Sequence, residues 1–284
     1  MQEGYPEVKT ALIAVGIGFL IVWSFYIEPS SLSYKRYEIT LDDWPTSQDS
    51  LSIAVIADLH VGAPYMPLER VKTIVQNVNN IKPDLILLAG DYSINHVIGG
   101  TFIESEPIAH ELRKFKAKLG VFAVLGNHDW PLDFTKVKQP FEQAGIPVLD
   151  DEAIEIKDEK HRFWLVGISD YWEGRHDVGK AFRGVPKDAS VIVLTHNPDV
   201  FPELPRPVSI GLAGHTHGGQ VRLPFIGSPV VPSSYGQRYI AGHIIENGKH
   251  FFVSPGIGTS IIPIRFRMPP EIPIITLRSA GTTQ

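Results

Sequence analysis

The chain of 284 residues has no cysteine. Disulfides, thiolate metal sites and a cysteine nucleophile are thereby excluded. The compartment stays open, because a secreted protein can also do without disulfides. An excess of basic charge is missing too. The 26 Lys and Arg stand against 31 Asp and Glu, giving a net charge of −5 and a pI near 6.1. No overall basic field attracts nucleic acid, and no nucleic-acid partner is indicated. There is no internal repeat, no low-complexity segment and no linker dividing the soluble part. At this length an ordinary globular composition predicts one large domain or two small ones.

Charge is absent altogether from one stretch. Thr10 to Ile27, "TALIAVGIGFLIVWSFYI", lies uncharged between Lys9 and Glu28. As a helix it would span roughly 27 Å, enough for a bilayer core of ~30 Å. Trp23 and Tyr26 sit near one end, where aromatic rings favour the membrane interface. A terminal helix that is apolar on every face has no core to hide in. No small-x-small cleavage site follows, as a signal peptide would require. Residues 10–27 are therefore expected to be an uncleaved single-pass anchor in the cell (inner) membrane. Residues 1–9 form a tail, 28–50 a linker with a first strand, and 51–284 the main domain. Lys9 and the terminal amine on one side face Lys35 and Arg36 on the other, which tips the main domain toward the cytoplasm.

The pattern then becomes regular. Arg36 to Leu41 alternates as a first strand, and Asp42 to Ser50 is rich in turn residues. Apolar runs at 51–57, 84–90 and 121–127 read as strands. Leu68, Val71, Val75 and Val78 mark a helix that Pro67 starts. Further helices are expected over 108–120 and 133–145. Fully apolar strands alternating with helices signal βαβ units in a buried sheet. From about residue 153 strand candidates dominate: "FWLVGIS", "SVIVLTH", "PVSIGLAGH", "RYIAGHII", "HFFVSPG" and "EIPIITL". They imply a second sheet or a largely antiparallel half.

Polar residues that can bind metal follow five of these strands. They are Asp58 and His60, Asp91, Asn127-His128-Asp129, His196, and His215 with His217. In open α/β sheets the carboxyl ends of strands line the ligand crevice. Each motif alone has a plainer explanation. Gly-Asp is often a turn, Asn127 and Asp129 could serve a turn or a cap, and His196 could be a bonded core histidine. Their joint order favours a site. His96, His110, His161, His176, His243 and His250 are expected at the surface or in loops, with His96 notable for lying five residues past Asp91. Imidazole and carboxylate suit Mn, Fe, Co, Ni or Zn. Two such ions would repel, so a shared carboxylate is expected, and a pair about 3.5–4 Å apart can clamp a phosphoryl group and acidify water.

The segments "DLH", "GDY", "GNHDW", "LTHNPDVF" and "AGHTHGGQ" resemble, in order, the five motifs of the calcineurin-like metallophosphoesterases. The likeness runs over about residues 35–278. The anchor, "GHTHGGQVRLP" and "GIGTS…PIRFRMPPEI" are similar to the membrane-anchored YkuE/YaeI-type phosphodiesterases. The resemblance implies an α/β fold, a sandwich of two β-sheets flanked by helices after an N-terminal transmembrane helix. It implies two divalent ions, manganese foremost and Fe, Zn, Co or Ni as alternatives. Asp58, His60 and His217 would bind one, Asn127, His196 and His215 the other, with Asp91 bridging. His128 would stabilise phosphoryl charge or protonate the leaving oxygen. Asp129 would orient that imidazole or cap the next turn. The implied reaction is in-line attack of a metal-bridging hydroxide on a phosphodiester or pyrophosphate, without a covalent intermediate.

The implied substrate is a phosphoester, with lipid-linked UDP-diacylglucosamine a candidate. The alternatives are a broad-specificity phosphatase or phosphodiesterase, and a non-catalytic metal-binding scaffold. Against the scaffold stands the complete set of ligand types with His128. One departure concerns specificity: relatives often carry Arg where this chain has Pro255. Arg222, Arg265 and Arg267 are candidate phosphate contacts, with surface solvation as the plainer role. The Pro- and Gly-rich stretch 221–240 is either a packed loop or a wall for acyl chains or the membrane surface. Nothing in the sequence sets the oligomeric state.

Overall fold

In the computed structural model, residues 6–94, 96–205 and 208–281 are described. The N-terminal helix α1 (Pro6–Val22) passes through a π-helical stretch at Trp23–Ile27 into a last turn, α2 (Glu28–Ser30). The stretch Val8–Ser30 is long and apolar enough to cross a membrane, and little of it is buried against the protein. After it come β1 (Ser33–Leu41), β2 (Leu51–Ile56), α3 (Leu68–Ile81), β3 (Leu85–Ala89), α4 (Ser105–Leu112), β4 (Val121–Val124) and α5 (Phe134–Gln143). The second half holds β5 (Glu152–Lys157), β6 (Arg162–Ile168), α6 (Val178–Ala181), β7 (Val191–Thr195), β8 (Ile210–Ala213), β9 (Gly242–Glu246), β10 (Lys249–Val253) and β11 (Glu271–Ser279).

Two mixed sheets lie face to face, in the orders β1-β11-β2-β3-β4 and β5-β6-β7-β8-β10-β9. The continuous apolar strands follow from burial on both faces. In β2, Ile53 and Val55 enter the layer between the sheets, while Ala54 and Ile56 face α3, α4 and α5. In β7, Ile192 and Leu194 enter the same middle layer, and Val191 and Val193 turn outward to Phe201 and Tyr239. The period-two alternation of a strand thus assigns neighbouring residues to different cores.

Two expectations are corrected. The second sheet is not largely antiparallel: β6, β7, β8 and β10 run parallel, and β5 and β9 at its edges reverse. The helix expected over 108–120 spans Ser105–Leu112 instead. Its apolar positions Phe115 and Leu119 are still buried, but the backbone N–H of Leu119 is captured by Asp84 of the neighbouring strand connection. Residues 28–50 hold the expected first strand, which begins at Ser33 rather than Arg36. α2 ends at Ser30, and two residues later β1 pairs with β11 over its whole length.

Candidate metal centre

The carboxyl ends of β2, β3, β4, β7 and β8 meet at one place. There the chain leaves the extended conformation abruptly: Asp58, His60, Asp91, His215 and His217 all have positive φ, between 45° and 72°. Such backbone is uncommon outside glycine, although Asp and His tolerate it better than most residues. The two sheets are stitched here by the backbone N–H of His215, which donates to both carboxylate oxygens of Asp58 at 3.0 and 3.1 Å.

The seven side chains named from the sequence fall into two groups. Asp58, His60, Asp91 and His217 form the first, each offering an N or O atom within 4.8 Å of the others. His60 Nε2 lies 3.1 Å from His217 Nε2 and 3.5 Å from Asp91 Oδ2, and His217 Nε2 is 3.5 Å from Asp58 Oδ1. In the second, His196 Nε2 is 3.1 Å from both His215 Nδ1 and Asn127 Oδ1, with 2.8 Å between the latter two. His196 Nε2 is also 3.3 Å from Asp91 Oδ2. One oxygen of Asp91 therefore faces both groups.

The donor chemistry fits cations in both. His196 gives its Nδ1 hydrogen to the Ala89 carbonyl at 2.7 Å, which leaves Nε2 bare in the neutral ring. In that form the nitrogen faces an amide oxygen, a carboxylate oxygen and another imidazole nitrogen, a cluster of lone pairs that either a proton on Nε2 or a bound cation satisfies. Burial pushes His60 and His215 down to about 3 and His217 well below the ordinary histidine value. These three rings thus present unprotonated nitrogens. Burial opposes charge on His196, yet the Asp91 carboxylate outweighs it and raises that ring to about 10. Burial, reinforced by the Asp91 charge, raises Asp58 to about 7. Asp91 itself is held well below the ordinary value, His196 overcoming its burial. An N/O donor set with no sulfur can hold two divalent ions of the Mn-to-Zn series, with Asp91 between them.

His128 stands at the edge of these groups. Its ring is 5.1 Å from that of His60, edge to face, and its side chain lines the adjoining cavity. Its backbone N–H donates to Asp91 Oδ1 at 2.9 Å. Asp129 does not match either role expected for it. Its carboxylate accepts from the N–H groups of Asp91 and Gly126, both at 2.8 Å, and of Tyr92 at 3.0 Å. It makes no side-chain cap for the turn that follows. Asp129 is a backbone clamp joining the ends of β3 and β4.

Arg265 is also corrected, being neither solvated nor turned toward the cavity. Fully buried, it donates to the carbonyls of Pro255 (3.0 Å), Gly258 (2.6 and 3.1 Å) and Met268 (2.9 Å). The loop it fastens packs on the first group: a side chain on Gly256, whose φ is 70°, would meet the Asp58 carboxylate at 2.8 Å. Pro255 thus belongs to a stapled loop beneath Asp58. Arg222 and Arg267 are exposed, and so is His96, which stays outside both groups. Two residues went unnoticed in the sequence reading. Asp199, in "HNPDVF", receives Ser233 Oγ at 2.5 Å and the Ser234 N–H at 2.7 Å, tying down the 221–240 stretch. Trp172 sets its ring edge-on to His215 at 4.4 Å. The motif was the only signal for the first, and nothing local signalled the second.

Beside the two groups opens a cavity of about 590 Å³. Asp91, Asn127, His128, His215 and His217 form its floor, and Trp172, Val221, Val230, Ile261, Ile262 and Ile264 are among its apolar walls. The geometry offers a polar, cation-binding floor under an apolar vestibule.

Comparison with known proteins agrees with this architecture. A family model described as calcineurin-like phosphoesterase matches residues 51–219. Phosphodiesterase YaeI of Escherichia coli (strain K12) is 31% identical over 282 residues, covering 97% of this chain and 98% of that one. The uncharacterized metallophosphoesterase YkuE of Bacillus subtilis (strain 168) is 30% identical over 268 residues, covering 90% and 89%. A transmembrane protein with metallophosphoesterase domain from Danio rerio is 28% identical, over 96% of this chain and 63% of its own. The chain belongs to the calcineurin-like phosphoesterase family of metal-dependent phosphoester hydrolases.

Proposed function

We propose that the chain is a membrane-anchored, dinuclear phosphodiesterase or pyrophosphatase whose substrate carries an apolar tail. Asp58, His60 and His217 would hold one ion and Asn127, His196 and His215 the other, with Asp91 shared. The observation that carries this reading is Asp91 Oδ2, 3.5 Å from a nitrogen of one group and 3.3 Å from a nitrogen of the other. When bound, the ions neutralise phosphoryl charge and acidify water. The protein's own contribution is positioning and proton transfer. His128 lines the cavity beside the two groups. Water releases one proton to solvent as its oxygen bonds to phosphorus, the old P–O bond breaks, and the His128 ring donates a proton to the departing oxygen. Asp129 keeps the Asp91 and Gly126 backbone together, so the shared carboxylate does not drift.

The apolar walls above this floor favour a lipid-linked diester or diphosphate such as UDP-diacylglucosamine over a small polar ester. The long apolar N-terminal helix supports the same reading, as does the name of the Danio rerio relative. Placement in the inner membrane, with the domain on the cytoplasmic side, follows the weak Lys/Arg bias near the helix. The second reading is a broad-specificity phosphoesterase, favoured by the exposed mouth of the cavity.

Two variants test the mechanism on purified full-length protein. Asp91→Asn should lower bound Mn from two ions per chain to one or none and abolish hydrolysis of bis(p-nitrophenyl) phosphate. His128→Ala should keep both ions while the rate falls on the order of 10²–10⁴-fold. Full activity in both variants would refute the assignment. Equal efficiency toward the small diester and a lipid-linked one would favour the broad-specificity reading.

A further inference from the structure

The π-helical stretch Trp23–Ile27 leaves the Ser24 carbonyl without its α or π partner. In α register it would accept from the Glu28 N–H, but that N–H bonds to Trp23 instead. In π register its donor would be residue 29, which is Pro29 and has no N–H. The backbone N–H of Arg265 fills the gap, donating to the Ser24 carbonyl at 2.9 Å. One turn on, the buried Glu28 carboxylate receives the Met268 N–H on Oε1 at 2.6 Å and Trp23 Nε1 on Oε2 at 2.7 Å. Arg70 secures the helix end, donating to the carbonyls of Ser30 at 2.8 Å and Ser31 at 3.1 Å. The end of the N-terminal helix thus grips the segment 265–268.

The same segment touches the first donor group. Met268 packs its side chain against Gly218, next to His217. Its carbonyl accepts from Arg265 Nη1, and Arg265 Nη2 lies 3.4 Å from His217 Nδ1. Arg265 also holds the Pro255 and Gly258 carbonyls, at either end of a stretch that pairs with the main chain around Asp58. There the Ile257 N–H donates to the Ala57 carbonyl at 3.2 Å and the Gly258 N–H to that of Asp58 at 2.7 Å. A side chain on Gly258 would meet His60 Cβ at 2.8 Å. Asp58, His60 and His217 therefore rest on what residues 265–268 fasten. Charge follows the same route: burial pushes the Arg265 guanidinium down to about 10, and the Asp58 and Glu28 carboxylates oppose the shift. The second group is held from elsewhere, His196 by the Ala89 carbonyl and the shared Asp91 by the Asp129 clamp.

We infer that Glu28 is a positioning residue for the ion that Asp58, His60 and His217 would hold: through Met268 and Arg265, the end of the N-terminal helix sets where these three side chains stand. The inference rests on the two-ion reading and adds to it a link between the helix and one of the two ions.

The two ions are told apart by background: His215→Ala leaves the first group whole, and His60→Ala the second. Full-length protein in detergent micelles is titrated with Mn by calorimetry in each background, with and without Glu28→Ala. Side chains that orient metal ligands commonly govern affinity 10–100-fold, so Glu28→Ala should weaken Mn about 10-fold in the His215→Ala background and less than about twofold in the other. Glu69→Ala, which removes an exposed carboxylate paired with Lys72, is the control and should change neither. Equal weakening in both backgrounds is what a general loss of structure produces, and it overturns the inference. Unchanged affinity in both overturns it too. Should Glu28→Ala fail to fold by circular dichroism, Glu28→Gln takes its place. Its Oε1 still accepts from Met268, while the charge near Arg265 is gone and an NH₂ group faces Trp23. A smaller loss confined to the His215→Ala background is then expected, and no loss overturns the inference. If either background binds two ions or none, the two-group reading itself fails and the inference falls with it. One ion in each background with no effect of Glu28 refutes the inference alone.

Discussion

Gly126 sits where β4 delivers Asn127, and an alanine there is a sharp test of the shared carboxylate. A Cβ at this position would lie 2.2 Å from Asp91 Oδ1, 2.8 Å from its Cγ and 2.7 Å from its backbone nitrogen. Unstrained contact needs about 3.5 Å, so Asp91 and Gly126 must separate by roughly 1 Å. Neither can yield alone, because the Asp129 carboxylate holds both their N–H groups at 2.8 Å. The shift moves the oxygen that both donor groups share. A displacement of about 1 Å at a reacting centre costs on the order of 10²-fold in rate, or ~2.7 kcal/mol. Gly126→Ala should therefore hydrolyse bis(p-nitrophenyl) phosphate about 100-fold more slowly and retain fewer than two Mn ions after dialysis. Far-UV circular dichroism should be unchanged. Gly179→Ala, where a Cβ would meet nothing closer than Asp177 Oδ1 at 3.4 Å, is the control for a harmless methyl. If Gly126→Ala keeps two ions and stays within twofold of wild type, Asp91 is not the shared ligand and the reasoning fails.

Two further outcomes follow from the clamps around the site. Asp129→Asn replaces a carboxylate oxygen with an NH₂ group that faces amide donors. It should lower thermal stability by roughly 2–3 kcal/mol, whereas His128→Ala should lower the rate with little change in melting temperature. Identical melting curves for Asp129→Asn and wild type in scanning fluorimetry would remove the clamp. Arg265→Lys cannot span the carbonyls of Pro255, Gly258 and Met268 with one ammonium. Losing about two charge-assisted bonds should cost on the order of 3 kcal/mol or more and weaken Mn binding on the Asp58 side first. A metal titration and melting temperature both unchanged would show that the loop holds without it.

Much of the site was legible because its signals are local. An apolar strand of four to six residues followed by Asp, Asn or His can be seen in a linear string, and five such junctions in order point to one crevice. The parallel direction of β8 and β10 could not be read that way, since pairing is set by a long crossover rather than by either strand. Helix α4 ended early although Ile108, Leu112, Phe115 and Leu119 keep helical spacing and are all buried. Their periodicity encodes a buried face, and a neighbouring carbonyl decided the backbone. Arg265 misled for a related reason. In "PIRFR" it resembles its exposed neighbour Arg267, and only the fold brings three carbonyls around it. Asp129 sits in a catalytic motif yet bonds only to main-chain amides. A motif records that a residue is needed, not what it touches.

The left-handed turns at Asp58, His60, Asp91, His215 and His217 carry a consequence for residues far from them. Each such conformation costs on the order of 1 kcal/mol or more, so together they oppose folding by at least ~5 kcal/mol, comparable to the whole net stability of a modest domain. That opposition is met by apolar packing elsewhere, above all in the layer where Ile53, Leu87, Ile192 and Leu212 interleave between the sheets. The centre is thus a bent spring kept under tension by a distant core. Thinning that core, at positions that touch no donor atom, slackens the hold on all five bends at once.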